Sequence, residues 1–220
     1  MKVKPMIFNT EMVCALLDGR KVQTRRPVNP DLSWDFDEPR GPEDVAAGYP
    51  YVETEDGYVS AVKLCPFGHP GDLIYVREKM KVTNATQMVW GVLQTVVEYV
   101  ADRIKSKPIA WPERLKDFPR VGKCLSNGGP REFSRLTLKV TSVRVERVQD
   151  ITKEDAISEG FQLPPVDDQD FVIGARTNFR HAWQQIYGDH WDNNGWVWVI
   201  DFEVIHQNVD SYLAQQESAA

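Results

Sequence analysis

The sequence predicts a mixed α+β fold, mainly β: one small β-barrel decorated with short helices and carrying two long loop insertions. Three observations predict it. The run Arg135 to Val148 alternates apolar and polar residues, the mark of a strand with one buried and one wet face. Trp196 to Val204 is a second β-rich run near the end of the chain. The helical patterns between such runs are short and bounded by capping residues and glycines.

Taken in order, Asn9 to Leu17 reads as a short helix with Thr10 as N-cap, Val13 and Leu16/Leu17 on one apolar face, and Gly19 as the stop. A basic run, Gly19-Arg20-Lys21-Val22-Gln23-Thr24-Arg25-Arg26, follows and is closed by Pro27. Residues 29–50 are rich in Pro, Asp, Glu and Gly and read as the first insertion. Tyr51 to Lys63 is expected to form a hairpin around Glu55-Asp56-Gly57. Gly71-Asp72 opens the strand Leu73-Ile74-Tyr75-Val76-Arg77-Glu78, and Val89 to Ala101 reads as a strand pair. Residues 105–130 read as the second insertion. Thr152 caps a helix closed by Gly160, with Asp155 completing the S/T-x-x-acid pattern. Residues 164–170 read as a polar loop. Thr177 to Tyr187 sets Phe179, Ala182, Trp183 and Ile186 at helical spacing. Residues 1–206 read as a single domain, and 207–220 as a polar, frayed tail.

The long alternating strand carries a further signal. Leu136, Leu138 and Val140 occupy even positions, whereas Val143 and Val145 occupy odd ones. A period-2 strand that buries both sets on one face needs an extra residue, which predicts a β-bulge near Thr141-Ser142.

At 220 residues and 42% hydrophobic, the composition is that of a globular protein whose core needs no disulfide or metal. The formal net charge of −6 argues against bulk binding to long nucleic acid, which depends on neutralising phosphates. A local basic pocket for a nucleotide or short strand remains compatible with it. Cys14, Cys65 and Cys124 are odd in number and widely spaced, which fits a reducing compartment and a cytoplasmic location. Met1 to Met6 is charged but has no apolar signal region, and no run approaches a membrane span. Cys65-Pro66-Phe67-Gly68-His69 has a ligand-like spacing but no second ligand pair, so no metal and no cofactor are expected.

The entry Gly19-Arg20-Lys21, Thr24, Arg25 resembles the opening motif of the ASCH-domain proteins, relatives of the PUA RNA-binding barrels. The Gly71 to Glu78 strand, the Arg144 to Ile151 segment with its following helix, and the Trp196 to Glu203 strand look like the family's later landmarks. The resemblance runs across nearly the whole chain and implies a PUA-like barrel. The two insertions look like those of larger phage-encoded members. Bacterial amidohydrolases of this superfamily remove the acetyl group from N4-acetylcytidine with a lysine, a threonine and a glutamate. By resemblance those roles fall on Lys21, Thr24 and Glu159. Val22 stands where the family commonly has threonine, a departure from the motif.

The chemistry is consistent with those residue types. A threonine hydroxyl needs a base, and lysine can serve once burial or neighbouring cations pull its pKa below about 10.4. Arg20, Arg25 and Arg26 supply such cations and are expected to form a cationic pocket that holds a phosphate or polarises a carbonyl. Glu159 is placed to protonate the leaving amino group. Tyr75, Arg77 and Arg135 are expected to line the pocket, with Arg131 beside Arg135 adding to a basic groove, and Trp191 to stack on a base. On a regular strand, Lys21 and Thr24 point to opposite faces, so the catalytic set requires a turn or bulge at Val22-Gln23. The implied ligands are a modified cytidine nucleoside or a short single-stranded RNA. The alternatives are a binding module without turnover, a metal-independent ribonuclease, and, for the basic run itself, a solvated edge strand.

Overall fold

The computed structural model describes residues 1–29, 50–54, 57–115, 121–125, 129–161 and 174–219. In chain order the elements are β1 (Val3–Ile7), α1 (Thr10–Leu17), β2 (Gln23–Pro27), β3 (Tyr51–Thr54), β4 (Gly57–Ser60), β5 (Leu73–Arg77), β6 (Met80–Val89) and β7 (Val92–Tyr99). They continue with β8 (Ile109–Ala110), β9 (Cys124–Leu125), β10 (Thr137–Arg147), α2 (Lys153–Ser158), α3 (Ala175–Tyr187), β11 (Trp196–Ile205) and α4 (Val209–Ala219). The fold is mixed α+β, mainly β, with a curled half-barrel sheet. The chain forms two compact units, and β10 and β11 each contribute residues to both.

The first unit comprises residues 1–18, 72–139 and 204–220. In it β1 pairs in parallel with β5 from Val3↔Leu73 to Ile7↔Arg77, and β5 pairs antiparallel with the start of β10. Pro5 in β1 is tolerated because β1 is an edge strand. A second sheet has the order β8-β7-β6-β9 and packs Met80, Val97 and Tyr99 against Phe133. Arg135 is locked there. It forks onto both Glu78 carboxylate oxygens at 2.8 and 2.9 Å, reaches Asp102 at 2.6 Å, and lies 4.0 Å over the Tyr99 ring. Burial pushes the Tyr99 phenol up to about 12, and its hydroxyl donates to the Phe133 carbonyl at 2.9 Å.

The second unit comprises residues 19–71 and 140–203. Its strands run in the order β10-β11-β2, with β3 and β4 forming a separate hairpin. Helices α2 and α3 bury Ala156, Phe179 and Trp183 with Val197 and Val199 of β11. The α2 start is a complete capping box: Thr152 Oγ accepts from the Asp155 amide at 3.0 Å, and Asp155 accepts from the Thr152 amide at 3.2 Å.

Several elements differ from the sequence reading. The cap of α1 is Asn9, whose Oδ1 accepts from the Met12 amide at 2.8 Å; asparagine outranks threonine at this position. The strand pair expected from Val89 is a hairpin that begins at Met80 and turns at Trp90-Gly91. The second insertion is not wholly loop, since it supplies β8 and β9; its residues 116–120 and 126–128, the first insertion from 30 to 49, the tip 55–56 and the 164–170 loop lie outside the described residues. Ile186 is exposed, because Tyr187 takes its place against the α3 core. β10 runs from Thr137 to Arg147; along it Val143 and Val145 are half-buried, and the even positions from Ser142 onward are polar.

The expected frayed tail is helix α4. Asn208 anchors it, accepting from the Asp210 amide at 2.9 Å and donating to the carbonyls of Arg131 at 3.0 Å and Ser134 at 2.8 Å. Val209 is fully buried behind that cap. Asn208→Ala is expected to lower the unfolding free energy by about 1–2 kcal/mol. Limited proteolysis within 209–219 should accelerate in step; an unchanged urea midpoint and cleavage pattern would show that the cap does not hold the helix.

Candidate functional site

The basic run does not face water. Lys21 is 0% exposed and Arg25 2% exposed, so the solvated-strand alternative does not hold. What allows such burial is a complete set of acceptors. Lys21 Nζ donates to the Gln23 carbonyl at 2.8 Å, the Glu159 carbonyl at 2.9 Å and Glu159 Oε2 at 2.6 Å. Those three bonds account for all three ammonium protons.

Glu159 is the C-cap of α2, and the left-handed Gly160 that follows, at φ +99, turns the chain away. The 20–22 segment is latched to this helix end. Arg20 Nη1 donates to the Gly160 carbonyl at 2.9 Å, and the Val22 amide donates to the Ser158 carbonyl at 2.9 Å. Together with Lys21 they satisfy carbonyls that a helix C-terminus leaves open.

Arg25 enters from β2. Its Nη2 donates to Glu146 Oε2 at 2.9 Å and lies 3.2 Å from Asp155, while its Nη1 bonds the Gln23 side chain and stands 3.6 Å from Glu159 Oε1. Gln23 Nε2 donates to Asp201 Oδ1 at 2.7 Å. Asp201 in turn accepts from Ser142 and from Arg144, each at 2.5 Å, and Arg144 also bonds Glu146 at 2.5 Å. The even positions Ser142, Arg144 and Glu146 of β10 thus carry this network.

The expected cationic pocket is therefore corrected. Lys21, Arg25 and Arg144 meet four carboxylates, Glu146, Asp155, Glu159 and Asp201, so the cluster has no surplus positive charge. Burial drives the Lys21 amine below its usual range; Glu159 opposes that shift, and Arg26 and Arg25 add to it. Two buried polar atoms of this cluster have no hydrogen-bond partner among the described residues: Glu159 Oε1, an acceptor, and Arg25 Nε, a donor. They sit on the two groups that approach each other at 3.6 Å.

Of the sequence-derived set, Lys21 and Glu159 come together and Thr24 does not join them. β2 pairs with β11 from Pro27↔Val197 to Gln23↔Asp201, and the Phe202 amide continues the same register to the Val22 carbonyl at 3.0 Å. No residue is inserted at Val22-Gln23, so alternation holds. Gln23 and Arg25 face the cluster, and Thr24, opposite Ile200, takes the other face. Arg26 also alternates away and donates to the Tyr187 hydroxyl at 3.1 Å. Trp191 is 5% exposed and packs 6.1 Å from Phe179, so it is a core residue, not an open stacking platform. Tyr75, Arg77 and Arg135 belong to the first unit, where Arg135 is fully engaged in holding Glu78 and Asp102, and Arg131 reaches Asp210. His69 bonds the Lys63 carbonyl at 2.9 Å and Cys65 is buried. Gln23, Arg144, Glu146, Asp155 and Asp201 were missed; the i, i+2 spacing of Arg144 and Glu146 on a predicted strand was the available signal.

Compared with protein-family models, curated proteins and solved structures, the chain matches none.

Removing one partner of a buried ion pair leaves the other charge uncompensated, at a cost of about 3–5 kcal/mol. Glu159→Gln is expected to destabilise the protein by that order, and the double replacement Lys21→Met/Glu159→Leu to recover most of it. The pH dependence follows from the lowered Lys21 value. Between that value and 10.5 the unfolded chain holds a proton that the folded chain has released, so this group's contribution to stability rises with pH. Unfolding free energies followed from neutral pH upward should climb for the wild type relative to the double variant; a falling difference would mean that Glu159, not burial, governs Lys21.

Proposed function

We propose that the protein is a PUA-like, ASCH-type hydrolase that cleaves the N4-acyl amide of a modified cytidine, with Lys21 and Glu159 as its proton-transfer pair. The observation that carries this reading is the fully buried ammonium–carboxylate contact at 2.6 Å, with one Glu159 oxygen left unbonded beside it. The substrate class rests on the resemblance of the Lys21 and Glu159 motifs to the acetylcytidine amidohydrolases. The charge balance favours a neutral nucleobase over a phosphate-rich polymer, because every cation of the cluster already faces a carboxylate.

In this reading a water adds to the acyl carbon while neutral Lys21 takes its proton. Arg25 Nε, a buried donor without an acceptor, stabilises the oxyanion that develops on the acyl oxygen. The C–N4 bond then breaks and protonated Glu159 gives its proton to N4, releasing cytidine and a carboxylic acid. Lys21 returns the proton to Glu159 across their direct contact, and the cycle closes without metal or cofactor. Water, not Thr24, is the nucleophile, since Thr24 faces away from the pair.

A second reading is a module that holds the modified base, or a short single-stranded RNA, without turnover. It is favoured by the saturation of all three Lys21 protons, which is also how a structural lysine is satisfied.

Chromatographic conversion of N4-acetylcytidine to cytidine separates these readings. Lys21→Ala and Glu159→Gln are expected to lose about a hundredfold or more in kcat/KM, while Thr24→Val stays within about threefold. A Thr24→Val loss as large as that of Lys21→Ala would return the nucleophile to Thr24 and overturn the water mechanism. Binding of the nucleoside with no conversion by the wild type would leave the binding module standing alone.

A further inference from the structure

The four-stranded sheet of the first unit has a second face, opposite the one that carries Met80, Val97 and Tyr99 into the core. Met80, Val82, Val97 and Tyr99 point into the core. On the opposite side Lys81 pairs with Glu98, and Glu98 bridges to Lys105; directly opposed residues share a face. Lys79, two residues before Lys81, lies on the same face. All three lysines are exposed, and Glu98 is held by Arg103 at 3.3 Å. A positive row therefore stands at the base of the β6–β7 hairpin, in a chain whose formal net charge is −6.

Beyond this row the hairpin changes character. The register passes from Val82↔Val97 to Thr86↔Thr95, so residues 83–85 of β6 stand opposite Val96 alone. β7 carries no insertion, and its alternation leads the lysine face through the buried Val96 and then Gln94, opposite Gln87, to Val92, opposite Val89. The ribbon turns at Trp90-Gly91, with φ +52 and +79. A two-residue turn of this kind ordinarily takes Asn, Asp or Gly first. Here a tryptophan holds the left-handed position and is 98% exposed. From Val82 to Val97 no residue is charged.

We propose that this hairpin face binds a single strand of nucleic acid. The lysine row neutralises phosphates, the Gln87–Gln94 pair offers amides to base edges, and Trp90 stacks on a base. The surface lies wholly in the first unit and does not rest on the hydrolase reading. The polyanion is indicated by charge complementarity to the lysine row, and the bases by the flat, solvent-facing indole at the end of an uncharged track. Lys81 and Trp90 are nine residues apart along a strand, about 30 Å at about 3.4 Å per residue. A strand with a phosphate about every 3.4 Å spans the same distance and engages both ends.

The test is fluorescence anisotropy with the full chain and labelled oligothymidylate and oligouridylate of about 15 nucleotides, at about 50 mM salt and above. Binding of either supports the proposal, and their comparison tells whether DNA or RNA is preferred. Trp90→Ala is expected to weaken binding about tenfold without moving the melting temperature, since the side chain touches little of its own fold. Lys81→Ala/Lys105→Ala should flatten the logarithmic salt slope by about 1.4. The proposal fails if the wild type binds neither strand, or if Trp90→Ala binds as the wild type does. It fails equally if polyglutamate displaces the oligonucleotide as well as unlabelled strand does, or if Trp90 governs only sedimentation with phosphatidylserine/phosphatidylcholine vesicles.

Discussion

The second unit depends on one constraint: the Lys21 ammonium has no access to water. Taking a charge of that size out of water costs several kcal/mol even after relaxation, and only well-placed acceptors offset it. The acceptors come from two places in the chain, the start of β2 and the end of α2, so folding must join them before the lysine can be buried. Val22 and Arg20 tighten the same junction through the Ser158 and Gly160 carbonyls. The register of β2 on β11 is then fixed by neighbours that a slip would ruin. Moving β2 by one residue would take Gln23 from Asp201 and turn Arg25 away from Glu146.

The same constraint explains why a basic run of sequence produces no basic surface. Each buried cation must meet a carboxylate, and β10, α2 and β11 deliver them at positions that look unremarked in the sequence. Arg25 shows the logic. Its guanidinium is shared among Glu146, Asp155 and the Gln23 amide, yet its Nε and Glu159 Oε1 remain unused. Buried polar groups are costly to leave unpaired, and the few exceptions call for an explanation. A ligand or bound water that offers both a donor and an acceptor would satisfy this pair, and an amide does.

Much of the fold was legible where local rules govern. The capping box at Thr152, the β11 run and the α3 stripe of Phe179 and Trp183 follow from capping and periodicity alone. The pairing of Lys21 with Glu159 was legible only through family resemblance, because no local rule connects residues so far apart in sequence. Thr24 shows where the motif misleads: spacing brings it near Lys21 along the chain, but pairing with Ile200 decides its face. Trp191 failed for a similar reason. A tryptophan beside a polar turn looks exposed, yet the turn folds it onto Phe179. In the tail, polar composition outweighed the signal of Asn208 before a run of good helix formers. The edge strand β1 was hidden by Pro5 and Lys4, residues that suit an edge and disguise a strand.

Saturation of Lys21 is compatible with the proposed catalytic role once the proton is followed. The ammonium donates at 2.6 Å to Glu159 Oε2, so one proton passed along that contact converts two buried charges into a neutral amine and a neutral acid. Burial penalises the charged pair and not the neutral one, in keeping with the downward pull on Lys21. The other two Lys21 bonds, to the carbonyls of Gln23 and Glu159, keep their protons and hold the amine in place. In the proposed hydrolysis these two groups would serve as base and acid, and the backbone carbonyls would hold the amine in orientation. An exposed lysine–glutamate pair has no such option, because water stabilises the charges and holds the proton on nitrogen. The burial that makes the pair the structural centre of its unit is thus also what the proposed reaction would draw on.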